Sequence, residues 1–170
     1  MTGIFCKFIT PAAYTKKELR EAQRIAAAEA VRIGIQSLFG IVLHESYKKH
    51  SNGKPFIDGY DDIYISVTHT HLLAAAAVSD CPVGVDAELS RPIDRRIVKR
   101  FLGGVPNDKA LSEWLRREAG GKLLGTGFCF DPGKLESLNF YEYCIENPTG
   151  NYFICLATEY IGLDLKPQII

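Results

Sequence analysis

The 170-residue sequence lacks a net charge, long apolar runs and paired cysteines. Lysine plus arginine total 20, as do aspartate plus glutamate, so the chain as a whole shows no bias toward nucleic acids or membranes. Its longest apolar run, LLAAAAV at 72–78, is too short to cross a membrane and is typical of a buried strand. The N-terminal MTGIFCKFITP lacks the charged-then-apolar build of a signal peptide.

The cysteines indicate neither a disulfide framework nor a zinc site. There are five of them, an odd number, and none forms a CxxC pair. Cys129, Cys144 and Cys155 lie in apolar surroundings and are predicted to be small core residues. Together with the N-terminus, this cysteine usage favours a reduced, cytoplasmic protein.

Two similar runs of elements follow each other along the chain. A capping box at Thr15 and Glu18 starts the first helix, and apolar stretches mark the strands. The predicted elements are a helix ending near Gly34 or Gly40, a loop at 47–62, strands at 63–68, 72–78 and 83–88, a helix around 108–123, and strands at 139–146 and 151–158. Because helix, strand, strand occurs twice, we predict an α+β fold with two pseudo-twofold-related lobes, each a helix packed on a small antiparallel sheet.

No linker or low-complexity stretch separates these two runs. With 46% apolar and 24% charged residues, the chain has the composition of an ordinary globular protein and the length of one domain. We therefore expect a single compact unit, 1–170. Its N-terminal lobe would cover about 1–82, its C-terminal lobe about 83–170, and a cleft would lie between them.

Asp86 and Glu88 lie one residue apart in PVGVDAELSRP, on the third predicted strand. On a strand both acids point to the same side, here outward, while Val83, Val85 and Ala87 face inward. Like charges held together are unfavourable unless something positive sits between them. The pattern therefore indicates a nearby cation, although a D-x-E pair taken alone is usually just solvated.

A later helix offers a third acid. Trp114, Glu118 and Lys122 are spaced four apart and lie along one helical stripe. Three carboxylates without a thiolate favour a hard cation, best Mg²⁺, with Lys122 supplying charge to a phosphate beyond it. Taken alone, Glu118 and Lys122 are more often a surface ion pair.

Four short motifs occur in a fixed order: GKP at 53–55, SVTHT at 66–70, GVDAE at 84–88, and WLRREAGGK at 114–122 with GTG after it. In this order they resemble the 4′-phosphopantetheinyl transferases, in particular the pseudo-dimeric Sfp type, with its GKP, N-x-S-H-S, G-[IV]-D-x-E and W-x-x-K-E-x-x-x-K patterns. The resemblance covers roughly residues 50–127, and more weakly the closing strand YFICLAT.

The resemblance implies a magnesium-dependent transferase that uses coenzyme A. The serine hydroxyl of an apo acyl or peptidyl carrier protein would attack the pyrophosphate, phosphopantetheine would move to the serine, and 3′,5′-ADP would leave. Such a reaction mainly needs positioning and cancellation of negative charge. Matched by position, Asp86, Glu88 and Glu118 would bind Mg²⁺. Lys122 would contact the phosphate, and Lys122 or Glu118 would assist removal of the serine proton.

The same resemblance implies where coenzyme A binds. His69 would contact a phosphate with Thr68 beside it, and Lys54 would lie near the nucleotide end. The sequence does not indicate which N-terminal basic residue reaches the ligand, among Lys16, Lys17, Arg20 and Arg24.

A basic cluster follows the acidic strand; it consists of Arg91, Arg95, Arg96, Lys99 and Arg100. Carrier proteins of this kind are acidic, so charge complementarity makes the cluster a candidate docking face. A solvated helix face explains it equally well. We expect a monomer with no nucleic-acid or membrane partner.

Two departures from the family pattern are compatible with a second functional hypothesis. Arg117 stands where the pattern has its first lysine, and Gly120–Gly121 weakens the helix by about 1 kcal/mol per glycine. The helix could begin to break at these glycines. A coenzyme A or nucleotide-binding module that has lost turnover would fit such changes.

A third reading is a metal-dependent phosphohydrolase. It would use His69, His71, Asp86 and Glu88. This reading leaves the stripe of Trp114, Glu118 and Lys122 unexplained.

Overall fold

The computed structural model describes residues 1–127 and 132–170. In that part of the chain the strands are β1 (Thr2–Phe8), β2 (Lys48–Lys49), β3 (Pro55–Phe56), β4 (Tyr64–Thr70), β5 (Leu73–Ser79), β6 (Val83–Leu89), β7 (Asn139–Asn147), β8 (Gly150–Thr158) and β9 (Gln168–Ile169). The helices are α1 (Lys16–Phe39), α2 (Arg95–Phe101) and α3 (Asn107–Leu124), with a 3₁₀ turn at Pro132–Leu135. The predicted mixed α+β class is confirmed.

The first sheet carries α1. Its strand order is β4-β5-β1-β9, with β4, β5 and β1 antiparallel and the short β9 parallel to β1. The predicted capping box starts α1: Thr15 and Glu18 exchange both hydrogen bonds. Gly40 ends the helix at φ +69°, a left-handed conformation that glycine adopts without strain.

The second sheet repeats this connectivity with α3. Its order is β6-β8-β7, all antiparallel. In the first sheet the strand before the helix, β1, pairs with β5, the second strand of the hairpin that follows. In the second sheet β6 pairs in the same way with β8. The predicted helix, strand, strand repeat is thus confirmed, whereas the boundary between lobes near residue 82 stays a prediction.

The core is shared by the two sheets, which explains the run of alanines in β5. Ala75 and Ala77 pack with Val85 and Leu156 between the sheets. Ala76, on the opposite face of β5, packs beneath α1. The outer face of the second sheet packs against α3 through a separate cluster consisting of Leu115, Ala119, Leu123, Leu138, Cys155 and Ala157. The layers are therefore α1, sheet, sheet, α3, and small side chains let both faces of β5 be covered.

Several local expectations need correction. Strand β1 and helix α2 were not predicted, and the expected loop at 47–62 contains the short hairpin of β2 and β3. Cys155 is buried as predicted, but Cys144 is exposed on β7, and Cys129 lies outside the described residues. Across 1–127 and 132–170, no helix has both the length and the apolar character needed to cross a membrane.

Candidate functional site

A close backbone contact brings α3 onto β6. A Cβ placed at Gly84 would lie 2.0 Å from the carbonyl oxygen of Ala119 and 2.6 Å from the amide nitrogen of Leu123. Only a residue without a side chain fits there, so Gly84 sets how closely the helix approaches the strand. The helix also continues through Gly120–Gly121 to Leu124, so the expected break at these glycines is wrong.

Lys122 supplies the positive charge that the acidic strand requires. Its ammonium donates to Asp86 Oδ1 at 2.7 Å and to the carbonyl oxygen of Val85 at 3.1 Å. Thr68 Oγ1 donates to the same Asp86 oxygen at 2.9 Å. Asp86 therefore does not face outward as expected: its side chain is 8% exposed, beneath α3.

Glu88 lies further along β6, where the strand is less covered. Its Oε2 accepts a hydrogen bond from Thr70 Oγ1 at 3.2 Å, and Arg91 Nη2 approaches the same oxygen at 3.5 Å. The Glu88 side chain is 17% exposed, whereas that of Arg91 is mostly exposed. Glu88 is thus held on one side by the first sheet and stays accessible from the other.

Glu118 completes the group of acids from the helix side. Burial, together with the negative charges of Asp86 and Glu88 and against the opposing effect of Lys122, raises the pKa of its carboxyl group to about 6. The three predicted acids are therefore close enough to interact electrostatically. Lys122 pairs with Asp86, and Arg91 approaches Glu88.

The chemistry of these donors fits Mg²⁺. Carboxylate oxygens are its preferred ligands, and no thiolate lies among the three acids. In the described part of the chain, no three His, Cys, Asp or Glu side chains are arranged to hold an ion as they stand. The predicted ligand set of Asp86, Glu88 and Glu118 therefore stays a prediction, supported by the proximity of the three carboxylates in one cleft.

The phosphohydrolase alternative gains no support from the geometry. His71 is exposed in a left-handed turn at φ +45°, and its carbonyl oxygen accepts a hydrogen bond from Gln23 Nε2 at 2.9 Å. Among the described residues, His71 and His69 join no group of three metal-binding side chains.

A cleft of about 350 Å³ opens over the acids. Its lining combines the predicted residues with basic and aromatic side chains, and it consists of Arg24, Ala27, Tyr47, Lys49, Val67, Thr68, His69, Asp86, Ala87, Glu88, Glu118 and Lys122. His69 is exposed at its edge; partial burial of the ring lowers its pKa, as does the charge of Lys122. Neutral imidazole is therefore favoured.

Two basic residues of this cleft could not be assigned from the sequence. Arg24 is the N-terminal basic residue that lines it, with its guanidinium paired to Glu21. Lys49, on β2, was not predicted at all. The only available signal was its position a few residues before the GKP motif.

Lys54 lies in a neighbouring cleft of about 270 Å³, which shares Lys49, Val67 and Lys122 with the first. Its ammonium donates to the carbonyl oxygen of Leu123 at 2.9 Å, near the C-terminus of α3, and burial lowers its pKa. The GKP loop is therefore fastened to the helix that carries Glu118 and Lys122. The predicted contact of Lys54 with a nucleotide stays a prediction.

Arg117, the departure from the family pattern, does not reach the acids of β6. Its Nε donates to Glu113 Oε1 at 3.1 Å on the same helix, an i, i+4 ion pair. Arg117 therefore stabilises α3 rather than entering the cleft.

Comparison with known proteins gives two related matches. The chain is 30% identical over 137 residues to the 4′-phosphopantetheinyl transferase psf-1 of Bacillus pumilus, covering 64% of this chain and 59% of the relative. It is 36% identical over 56 residues to the 4′-phosphopantetheinyl transferase gsp of Aneurinibacillus migulanus, covering 33% of this chain and 23% of the relative. No protein-family model matches. The chain thus spans less than two thirds of the relatives' length, and the matches confirm the resemblance identified from the motifs.

Proposed function

Because the chain is related to the 4′-phosphopantetheinyl transferases of the Sfp type, we propose that it is itself such a transferase. It would move phosphopantetheine from coenzyme A to a serine of an apo acyl or peptidyl carrier protein and release 3′,5′-ADP. The cytoplasmic location and the monomeric state belong to the same proposal.

The convergence of acids on one cleft is the observation that carries this proposal. Strand β6 contributes Asp86 and Glu88, and α3 contributes Glu118. The negative charges of Asp86 and Glu88 raise the pKa of Glu118, which indicates that the three carboxylates lie close together. These carboxylates would hold Mg²⁺, which when bound neutralises charge on the pyrophosphate. Lys122 lines the same cleft and would offer its remaining N–H donor to a phosphate oxygen.

Glu118 is the proposed acceptor for the proton of the attacking serine. Its carboxylate lines the cleft, and in the absence of a metal its pKa is raised to about 6, toward the range in which a general base is effective. Lys122 already donates hydrogen bonds to Asp86 and to the carbonyl oxygen of Val85, so we assign it to the phosphate and not to the proton transfer. In this mechanism the serine oxygen bonds to phosphorus, the bond to 3′,5′-ADP breaks, and the proton passes to Glu118.

The basic cluster at and before α2 is the proposed docking face for an acidic carrier protein. Its five members, Arg91, Arg95, Arg96, Lys99 and Arg100, are all exposed. The cluster begins two residues after β6 ends, so a partner bound there lies near the acids. Opposite charge would speed and orient its approach.

A transfer assay tests the proposal. The purified chain is incubated with coenzyme A, Mg²⁺ and a panel of apo carrier proteins, and intact masses are measured. At least one carrier is expected to gain the mass of phosphopantetheine with the unmodified chain and none with Glu118→Ala. A folded sample that modifies no carrier in a broad panel contradicts the proposal.

A binding module without turnover is the second candidate. Arg117 favours it, because the residue that stands where the family pattern has a lysine is paired with Glu113 on its own helix instead of entering the cleft. Calorimetry separates the two candidates. Coenzyme A binding that requires Mg²⁺, without any product, identifies the module.

A further inference from the structure

Side-chain hydroxyls bridge the junction between the two sheets. Strands β4 and β6 lie side by side as edge strands of different sheets. Ser66, Thr68 and Thr70 alternate along β4, so their side chains lie on the same side of the strand. Each is hydrogen-bonded to β6. We call these three residues the hydroxyl row.

Thr70 is the member of the hydroxyl row that both accepts a hydrogen bond from β6 and donates one to it. The amide of Leu89 donates to Thr70 Oγ1 at 3.4 Å, which engages the oxygen as an acceptor. The hydroxyl hydrogen is then available to Glu88 Oε2, 3.2 Å away. An ionised carboxylate can only accept, so Thr70 must be the donor.

We propose that Thr70 is a positioning residue, which orients the Glu88 carboxylate for a divalent cation in the cleft. Thr70 acts through Glu88 and touches neither the cation nor the substrate. Donors behind a metal-binding carboxylate restrict its orientation. This inference rests on the proposed metal site.

The other two members of the hydroxyl row differ in what they contact on β6. This difference allows an effect on the orientation of the acids to be distinguished from an effect on the packing of the two sheets. Thr68 donates to Asp86 at 2.9 Å and repeats the role of Thr70 for the second acid. Ser66 accepts from the amide of Val85 at 3.0 Å and contacts no acid. Ser66→Ala should therefore weaken the junction without disturbing the orientation of Glu88.

The test measures binding of Mn²⁺ alone to the full chain, from the electron paramagnetic resonance signal of the free ion. Thr70→Val keeps the shape of the side chain and removes the hydroxyl; we expect Mn²⁺ affinity to fall about tenfold or more. Thr70→Ser restores the hydroxyl and should bind within about twofold of the unmodified chain, as should Ser66→Ala. Thermal melts of all variants report folding, and Thr70→Ala replaces Thr70→Val if the latter does not fold.

The outcomes are distinct. Unchanged affinity in Thr70→Val, or an equal loss in Ser66→Ala, overturns the positioning role while leaving the metal site in place. Failure of the unmodified chain to bind Mn²⁺ removes the proposed metal site and the role of Thr70 with it. Loss confined to Thr70→Val, with recovery in Thr70→Ser, supports the inference.

Discussion

The ammonium group of Lys122 lies 2.7 Å from the carboxylate of Asp86, so a cation of α3 compensates a buried acid of β6. The side chains are 29% and 8% exposed, respectively. Among the described residues, removing the ammonium leaves the Asp86 carboxylate with the hydrogen bond from Thr68 as its one side-chain partner. We therefore predict that Lys122→Met lowers the free energy of unfolding by about 2 kcal/mol, measured by urea denaturation near neutral pH.

The pair of Lys7 and Glu29 provides a matched control. Its lysine is 30% exposed, almost the same as Lys122, but its acid is 34% exposed and therefore better solvated. Lys7→Met should lower the free energy of unfolding by about 0.5 kcal/mol or less. Equal losses in the two variants would show that the burial of Asp86 has no energetic consequence.

Gly84 should tolerate no side chain. In Gly84→Ala the new Cβ meets the backbone of α3, which can yield only if the helix moves. We expect a loss of about 3 kcal/mol in the free energy of unfolding. Gly40→Ala is the control, because Gly40 has a positive φ and no neighbouring atom within 4 Å; it should lose only about 1 kcal/mol. A smaller loss at Gly84 than at Gly40 would contradict this account of the helix approach.

Glu118 should make stability depend on pH. Its pKa rises from 4.5 to about 6 on folding, so the folded state binds the proton more tightly, and stability falls as pH rises between these values. Glu118→Gln resembles the protonated acid. We predict equal stability of variant and unmodified chain near pH 4.5 and a gain of about 1 kcal/mol for the variant above pH 6, after discounting for solvent screening.

Asp94 provides a contrast, because its pKa is lowered in the folded state whereas that of Glu118 is raised. Hydrogen bonds from Arg96 lower the pKa of Asp94 to about 2, so the ionised form is favoured in the folded state. Asp94→Asn should therefore lose stability at neutral pH. A gain in Asp94→Asn, or a gap for Glu118→Gln that is constant between pH 4.5 and 8, would contradict these assignments.

If the basic cluster is the docking face, charge reversal there should change KM for the carrier protein and leave KM for coenzyme A unchanged. Reversing the charges of Arg95 and Lys99 to glutamate should raise KM for an acidic carrier about tenfold at low salt and less at high salt, with KM for coenzyme A unchanged. Lys134→Glu with Lys166→Glu makes the same charge change on exposed residues elsewhere. If both double variants raise KM equally, net charge alone explains the effect.

Most of the fold could be predicted because its elements carry local signals. The capping box of α1 and the apolar runs of β4, β5, β6 and β8 place these elements within about two residues. Strand β1 carries no such signal, since Phe5 packs under α1 while Ile4 and Cys6 pack between the sheets. Ile4, Phe5 and Cys6 are consecutive apolar residues between Gly3 and Lys7, so the sequence shows no alternation of apolar and polar residues that would indicate a strand. Strand β9 pairs with β1 although the two lie at opposite ends of the sequence, and no local pattern indicates such a pairing.

The site was predictable as a set of residues but not as an arrangement. The order of the motifs and the helical stripe of Glu118 and Lys122 predicted that the three acids share one site. The cleft is lined by all three. The burial of Asp86 follows from the close approach at Gly84, and the bond from Thr70 to Glu88 crosses between sheets. Neither relationship leaves a periodic pattern in the sequence.

The central claim is that acids of β6 and α3 jointly hold one divalent cation against a pyrophosphate. Anomalous diffraction from crystals grown with Mn²⁺ and coenzyme A tests it most directly. We predict one manganese peak in contact with carboxylate oxygens of Asp86, Glu88 and Glu118 and with a phosphate oxygen of the ligand. A fully bound coenzyme A without such a peak, or a peak that Glu118 does not touch, would contradict the account.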